Sequence, residues 1–250
     1  MDEPLPLRTL RLVVEYDGTG LAGWQRQDGQ PTVQGWLEDA FRSMTKQDVV
    51  VRGAGRTDAG VHADGQVASV EIASRIPALG FLRGMNAFLP PAIAVLELAD
   101  VRPGFNARFD ARGKIYRYQV WNHPIRSPRF VRRAWHVYDT LDMHAMREAA
   151  DVLVGEHDFR AFRSADCDRK NTIRIIRRFD LRRDGAMVSM EVEGTAFLRN
   201  MVRILAGTLV AVGRGRMTAA DVAAVMAAGD RTQAGMTAPA HGLSLVKVIY

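Results

Sequence analysis

The chain has 250 residues, 47% apolar and 25% charged, which is enough apolar mass for a sizeable core in one large or two small domains. Its net charge is +6 and its pI about 9.9, so an anionic partner is favoured, nucleic acid first. One cysteine, Cys167, excludes an internal disulfide framework and suits a reducing cytosol, and the longest apolar stretch, residues 201–212, is too short and too interrupted by Arg203 to span a bilayer.

The acidic start Met1-Asp2-Glu3-Pro4 lacks the apolar run of a signal peptide, so none is expected. Residues 7–16, rich in Leu and Val, predict a strand. Thr32 opens a predicted helix whose apolar stripe is Val33, Trp36, Leu37, Ala40, Phe41 and Met44. Strands are predicted over 49–51 and 66–72, on either side of a glycine-rich loop. A helix over 78–88 is ended by Pro90-Pro91, and a strand follows over 92–101. The order is β-α-β-β-α-β.

The second half repeats that order. A strand is predicted over 114–121 and a helix over 142–154, stopped by Gly155. Strands over 172–181 and 187–192 form a hairpin turned at Asp184-Gly185. A long helix over 196–212, a shorter one over 218–228 and a closing strand over 243–250 complete the chain. The expected fold class is therefore α+β. It comprises two fused ferredoxin-like βαββαβ halves, 1–104 and 105–250, in an extended antiparallel sheet with a basic cleft between them. Only four of the 34 basic residues are Lys, and Arg suits phosphate forks and base stacking. Basic residues crowd 102–117, 126–133 and 160–183, a pattern that favours a nucleic-acid track.

The loop itself reads Gly53-Ala54-Gly55-Arg56-Thr57-Asp58-Ala59-Gly60-Val61-His62-Ala63. Glycines at this density let a ligand approach the backbone closely. Asp58, two residues from Arg56, is a carboxylate in a tight turn, and an ionised carboxylate serves as nucleophile or base. Two other readings compete. A dinucleotide fingerprint needs a third Gly at position 58 and a helix directly after it, and neither is present. An ordinary surface ion pair would be worth about 0–1 kcal/mol and would do nothing. The six histidines show no metal-ligand spacing, and no metal or other cofactor is expected.

The segment from Gly55 to Ala63, with Gln66 beyond it, resembles the signature of the tRNA pseudouridine synthase A family. Further matches are Thr32-Val33-Gln34-Gly35, Phe105-Asn106-Ala107-Arg108-Phe109, Lys114-Ile115-Tyr116-Arg117-Tyr118, His157-Asp158-Phe159, the run from Phe197 to Arg203, and Gly242-Leu243-Ser244-Leu245. The resemblance implies a cytoplasmic, cofactor-free homodimer that isomerises uridine to pseudouridine at positions 38, 39 and 40 of the tRNA anticodon stem-loop. It implies Asp58 as nucleophile, Arg203 pairing with it, and Arg56 entering the space left by the flipped base. Tyr116 would stack on the flipped uracil and Leu245 would wall the pocket. RNA contacts would come from Phe105, Asn106, Ala107, Arg108 and Phe109, and from Asp166, Cys167, Asp168, Arg169 and Lys170. Whether Asp58 adds to the sugar or removes its 2′ proton stays open. The rival from another class is a non-catalytic RNA-binding protein on ferredoxin-like sheets; the residues 113–118 do not satisfy the pattern that would mark one.

Overall fold

The structure, a computed structural model, describes residues 5–250; the acidic start at residues 1–4 lies outside them. It is a mixed α+β protein that divides into two compact units. One runs through Arg112 and takes back Leu245–Tyr250; the other is Gly113–Ser244. The expected division was 1–104 and 105–250; the first compact unit also takes in Leu245–Tyr250.

In the first unit, β1 (Leu7–Tyr16) pairs antiparallel with β3 (His62–Ala73) on one side and β4 (Ile93–Val101) on the other. The two-residue β2 (Arg52–Gly53) pairs with Ser69 and Ala68 of β3. The last strand, β10 (Leu243–Ile249), follows β3 in the order β4-β1-β3-β10. Helix α1 (Val33–Thr45) starts where Thr32 Oγ1 accepts the Gly35 N–H at 3.3 Å, and α2 (Ala78–Phe88) ends before Pro90. Phe41 and Phe81 are fully buried, with ring centroids 5.4 Å apart. Burying each such side chain contributes about 1.5–3 kcal/mol.

Two expectations for this unit are corrected. Residues 49–51 are not a strand; the β2 ladder begins three residues later and β3 four residues earlier than predicted. Trp36 does not join the buried stripe: it is exposed, and Gln34 and Glu38 are buried instead. Glu38 accepts the Val51 N–H at 3.1 Å, the Gln34 amide at 2.9 Å and Arg26 Nη1 at 3.1 Å. A polar side chain so bonded can be buried without penalty, so the inner face of α1 turns towards Val51.

In the second unit, β5 (Gly113–Asn122) pairs antiparallel with β9 (Met187–Gly194), then β8 (Ile173–Asp184) and β7 (Gly155–Asp158). The short β6 (Trp135–Val137) runs parallel to β5. Neither β6 nor β7 was predicted, since strands of three and four residues carry too little alternation to register. Helices α3 (Met143–Val152), α4 (Met201–Gly213) and α5 (Ala219–Ala228) complete it. α4 is buried on nearly every side, as its near-uniform apolarity requires. A Cβ at Gly207 would collide with the Met236 carbonyl, so that glycine lets the segment before β10 lie directly on α4.

Here too boundaries shift. α4 begins at Met201, not at 196, because Asn200 takes a left-handed φ of 60° and the residues before it form a loop. α3 stops at Val152, and Gly155 opens β7. The hairpin turns on Gly185 and Ala186, with Asp184 paired to Met187 across it. Among the described residues no helix is long and apolar enough to cross a membrane.

Candidate functional site

The glycine-rich loop joins β2 to β3, and two of its backbone groups are clasped by the segment between β1 and α1. Trp24 N–H donates to the Thr57 carbonyl at 3.1 Å, and Gly60 N–H to the Leu21 carbonyl at 3.3 Å. Gly23, at φ +93°, is required here: a Cβ on it would stand 2.6 Å from the Thr57 carbonyl oxygen. Val61 N–H returns to the Asp58 carbonyl at 3.1 Å and closes a turn around Asp58. Asp58 is thereby half-buried between buried Thr57 and buried Val61, while Arg56 is exposed. His62 is buried and accepts the Gly18 N–H at Nδ1 (3.0 Å), with Asp17 Oδ1 at 3.2 Å. It ties the start of β3 to the segment that follows β1.

Beneath the loop lies a buried polar group. Tyr16 OH is 2.8 Å from Thr57 Oγ1, and the Gln66 amide donates to the Gly55 carbonyl at 2.8 Å. Burial raises the Tyr16 phenol well above its ordinary pKa, against the lowering effect of its hydrogen bonds with Thr57 and Gln66, so it stays neutral.

In the second unit, Arg203 sits on the first turn of α4, half-buried. Its Nε donates to the Ala238 carbonyl at 2.8 Å and its Nη1 to Asn200 Oδ1 at 2.9 Å. Ala238 N–H donates back to the Arg203 backbone carbonyl, so the 238 segment is tied to α4 at the residue whose guanidinium it receives. Tyr116, buried in β5, meets the ring of Phe197 edge-on at 5.1 Å. Tyr118, two residues on and on the same inner face, donates its hydroxyl to the Pro239 carbonyl at 2.8 Å. Burial raises its phenol far above the ordinary range, against the opposing charge of Arg203. Phe197, Asn200 and the 238–239 segment received no role from sequence reasoning. The signal was weak: a Pro and two glycines punctuating residues 235–242 would have marked a loop, but not its brace on α4.

The two expected RNA-contact segments differ in make-up. Of residues 105–109, Ala107 is buried, its N–H donating to Ser69 Oγ and its carbonyl accepting Tyr250 OH. Asn106 caps the turn by accepting the N–H groups of Arg108 and Phe109. Arg108 and Phe109 are exposed, the guanidinium 5.6 Å from the ring centre. Phe105 packs on Tyr250 at 5.3 Å.

Of residues 166–170, Cys167 is buried and the rest are exposed. Asp166 is engaged by Ser164 Oγ at 2.5 Å and Arg199 at 2.6 Å, and the Ser164 hydrogen bond, with Arg199 helping, lowers its pKa. Arg163 donates to the carbonyls of Cys167 and Arg169. A depression of about 420 Å³ here is lined by Arg160, Arg163, Arg169 and Lys170 against Asp158 and Asp168. The cations outnumber the acids, and local pairing answers the charge of Asp166. Leu245 has no exposed surface and sits in the core of the first unit. No group of three or more His, Cys, Asp or Glu that could hold a metal occurs among the described residues.

A family model described as tRNA pseudouridine synthase matches residues 12–110 and 149–250. The chain is 47% identical over 242 residues to tRNA pseudouridine synthase A of Geobacter sulfurreducens, covering 97% of this chain and 99% of that protein. It is 48% identical over 242 residues to the protein of the same name from Myxococcus xanthus, covering 96% of this chain and 91% of that one. A third, from Geotalea daltonii, is 43% identical over 244 residues, with 98% and 100% covered.

Proposed function

The chain belongs to the tRNA pseudouridine synthase family, and on that premise we propose that it isomerises uridine to pseudouridine at positions 38, 39 and 40 of the anticodon stem-loop. The reaction class follows from the family: uridine in tRNA is the substrate and an isomerase the catalyst, which sets aside the reading as a non-catalytic RNA-binding protein. The observation that carries the residue assignment is Asp58, held half-buried in a backbone-clasped turn within the motif loop.

The chemistry breaks the C1′–N1 bond, turns the uracil and rejoins it through C5, whose proton then leaves; the atoms in and out are the same. Asp58 is the group that meets the electron-poor C1′, by addition to the sugar or by removing the 2′ proton. Arg203, pre-aimed by Asn200 and Ala238, is its ion-pair partner in this reading. An opposite charge at close range favours the ionised carboxylate. Extruding a paired uridine costs a few kcal/mol, and exposed Arg56 is the side chain that fills the gap. Tyr116, seated against Phe197, stacks on the flipped uracil, a contact worth about 1–3 kcal/mol. Leu245 supplies apolar wall from beneath. Phe105, Asn106, Ala107, Arg108 and Phe109, with Asp166, Cys167, Asp168, Arg169 and Lys170, form the RNA-contact segments. Within these, Arg108, Phe109, Arg169 and Lys170 have the exposure to touch RNA, and the buried members hold the loops in shape.

The finer architecture belongs to the same proposal. We propose two ferredoxin-like halves, the first carrying the Asp58 loop and the second completing a basic cleft; the β4-β1-β3-β2 strand relations support this for the first half. A cofactor-free, cytoplasmic homodimer is the state expected to act; light scattering of the purified protein checks the dimer.

Asp58→Asn tests the whole. It keeps the side chain's shape and removes its charge, so the variant binds tRNA but forms no pseudouridine by mass spectrometry after carbodiimide labelling. Turnover near the wild-type rate would remove Asp58 from the chemistry, and pseudouridine mapped outside positions 38–40 would remove the site assignment.

A further inference from the structure

The register of β1 against β3 is regular from Leu7↔Ala73 to Val14↔Gln66 and then slips, resuming at Tyr16↔Ala63. One residue of β1 (Glu15) therefore faces two of β3 (Asp64 and Gly65), which is a bulge, a device that re-aims side chains beside active sites. The side chains flanking this slip are Tyr16 and Gln66, both buried. They meet the loop at Thr57 and Gly55, and Thr57 directly precedes Asp58.

The Gln66 amide has two N–H groups, of which one serves the Gly55 carbonyl. The Gln66 side chain is also hydrogen-bonded to Tyr16, a contact that acts against the burial that raises the phenol's pKa. The phenol oxygen also lies 2.8 Å from Thr57 Oγ1, a hydroxyl–hydroxyl hydrogen bond in which either side can be the donor. Thr57 is also gripped at its carbonyl by the Trp24 N–H. Tyr16, Gln66 and Thr57 are all buried, so solvent has little access to this group. Its hydrogen bonds are therefore not exchanged for water when the loop shifts, and the loop has one well-determined position.

We infer that Tyr16, Gln66 and Thr57 are positioning residues that set where the Asp58 carboxylate stands, acting through the Thr57 hydroxyl. The inference rests on Asp58 being the nucleophile. It adds that the loop's placement depends on one hydroxyl–hydroxyl hydrogen bond between residues 41 positions apart.

The experiment separates hydroxyl from shape. Thr57→Val keeps the branched shape and loses the oxygen; Thr57→Ser keeps the oxygen and loses the methyl. Tyr16→Phe removes the other partner and leaves the ring. Single-turnover rate, KM for tRNA and melting temperature are measured for each, with Asp58→Asn alongside. A small misplacement of a reacting group costs up to about a hundredfold in rate. Thr57→Val and Tyr16→Phe should each lose about ten- to hundredfold in rate with KM changed less than about twofold. Thr57→Ser should restore most of the rate, and the double variant Tyr16→Phe/Thr57→Val should be no slower than the worse single variant. Rates that follow melting temperature in all variants, Ser included, overturn the inference. So does a fall expressed in KM alone. If Asp58→Asn itself is active, the reading of Asp58 fails instead, and the two failures are told apart by that one control.

Discussion

The Asp58 loop and the 166–170 segment are both irregular, charged and assigned to the same RNA substrate, yet they are built in opposite ways. Around Asp58 the backbone groups of Thr57 and Gly60 are held by the preceding segment, and the hydroxyl of Thr57 is bonded to a buried layer containing Tyr16 and Gln66. Around Asp168 four of five side chains are exposed, and a single arginine, Arg163, ties the backbone by donating to two carbonyls. The difference matches the roles proposed for each. Bond-breaking at C1′ needs a carboxylate placed to a fraction of an ångström, which buried hydrogen bonds supply. Attraction of a polyanion needs only charge near a surface, and works with side chains that move.

That contrast is open to attack, most severely at Gly23. Gly23→Ala puts a methyl 2.6 Å from the Thr57 carbonyl and demands a φ of +93° that alanine tolerates poorly. The loop must move, and kcat should fall by about a hundredfold while the Kd for tRNA is kept. Filter binding and single-turnover assays check both; weaker binding with unchanged kcat would mean the loop recognises rather than reacts. Tyr116 stands between the two regions in expected effect. Tyr116→Ala should weaken binding of the flipped state by about 1–3 kcal/mol, whereas Tyr116→Phe keeps the ring on Phe197 and should preserve that binding in full. If the Phe variant binds normally but is inactive, the hydroxyl has a chemical part, such as helping the C5 proton leave. The smallest effect on chemistry belongs to the 166–170 segment. Arg169→Ala with Lys170→Ala should leave kcat at saturating tRNA unchanged and flatten the dependence of log K on log salt by about 0.9 for each phosphate that is no longer neutralised. A steep fall in kcat there would break the contrast.

The fold was legible where its causes are local. Residues 7–16 and 78–88 form the strand and helix expected of their patterns, and Thr32 and Thr218 cap helices where their chemistry predicts. Errors came where a distant partner overrode a local preference. Residues 196–200 look helical, but Phe197 is held against Tyr116 and Asn200 turns left-handed to reach Arg203, so α4 starts late. Trp36 fits the spacing of a buried stripe, but the inner face carries Glu38, whose three hydrogen-bond partners include Val51, thirteen residues away. Of the candidate site, the sequence pointed to Asp58, Arg203 and Tyr116 but assigned no role to Phe197 and Asn200, though both lie in a matched run, and gave no sign of Ala238; these three contact the latter two.

By itself the sequence determined the α+β class, the glycine-rich turn, the lone carboxylate in it and the excess of cations, because period, capping and charge act over a few residues or through composition alone. Only the tertiary structure decided that a phenol and an amide lie under that turn, and that the final strand joins the first unit. Those facts depend on which strand lies beside which and in what register. A buried hydrogen bond acts over about 3 Å in space, whatever the distance along the chain.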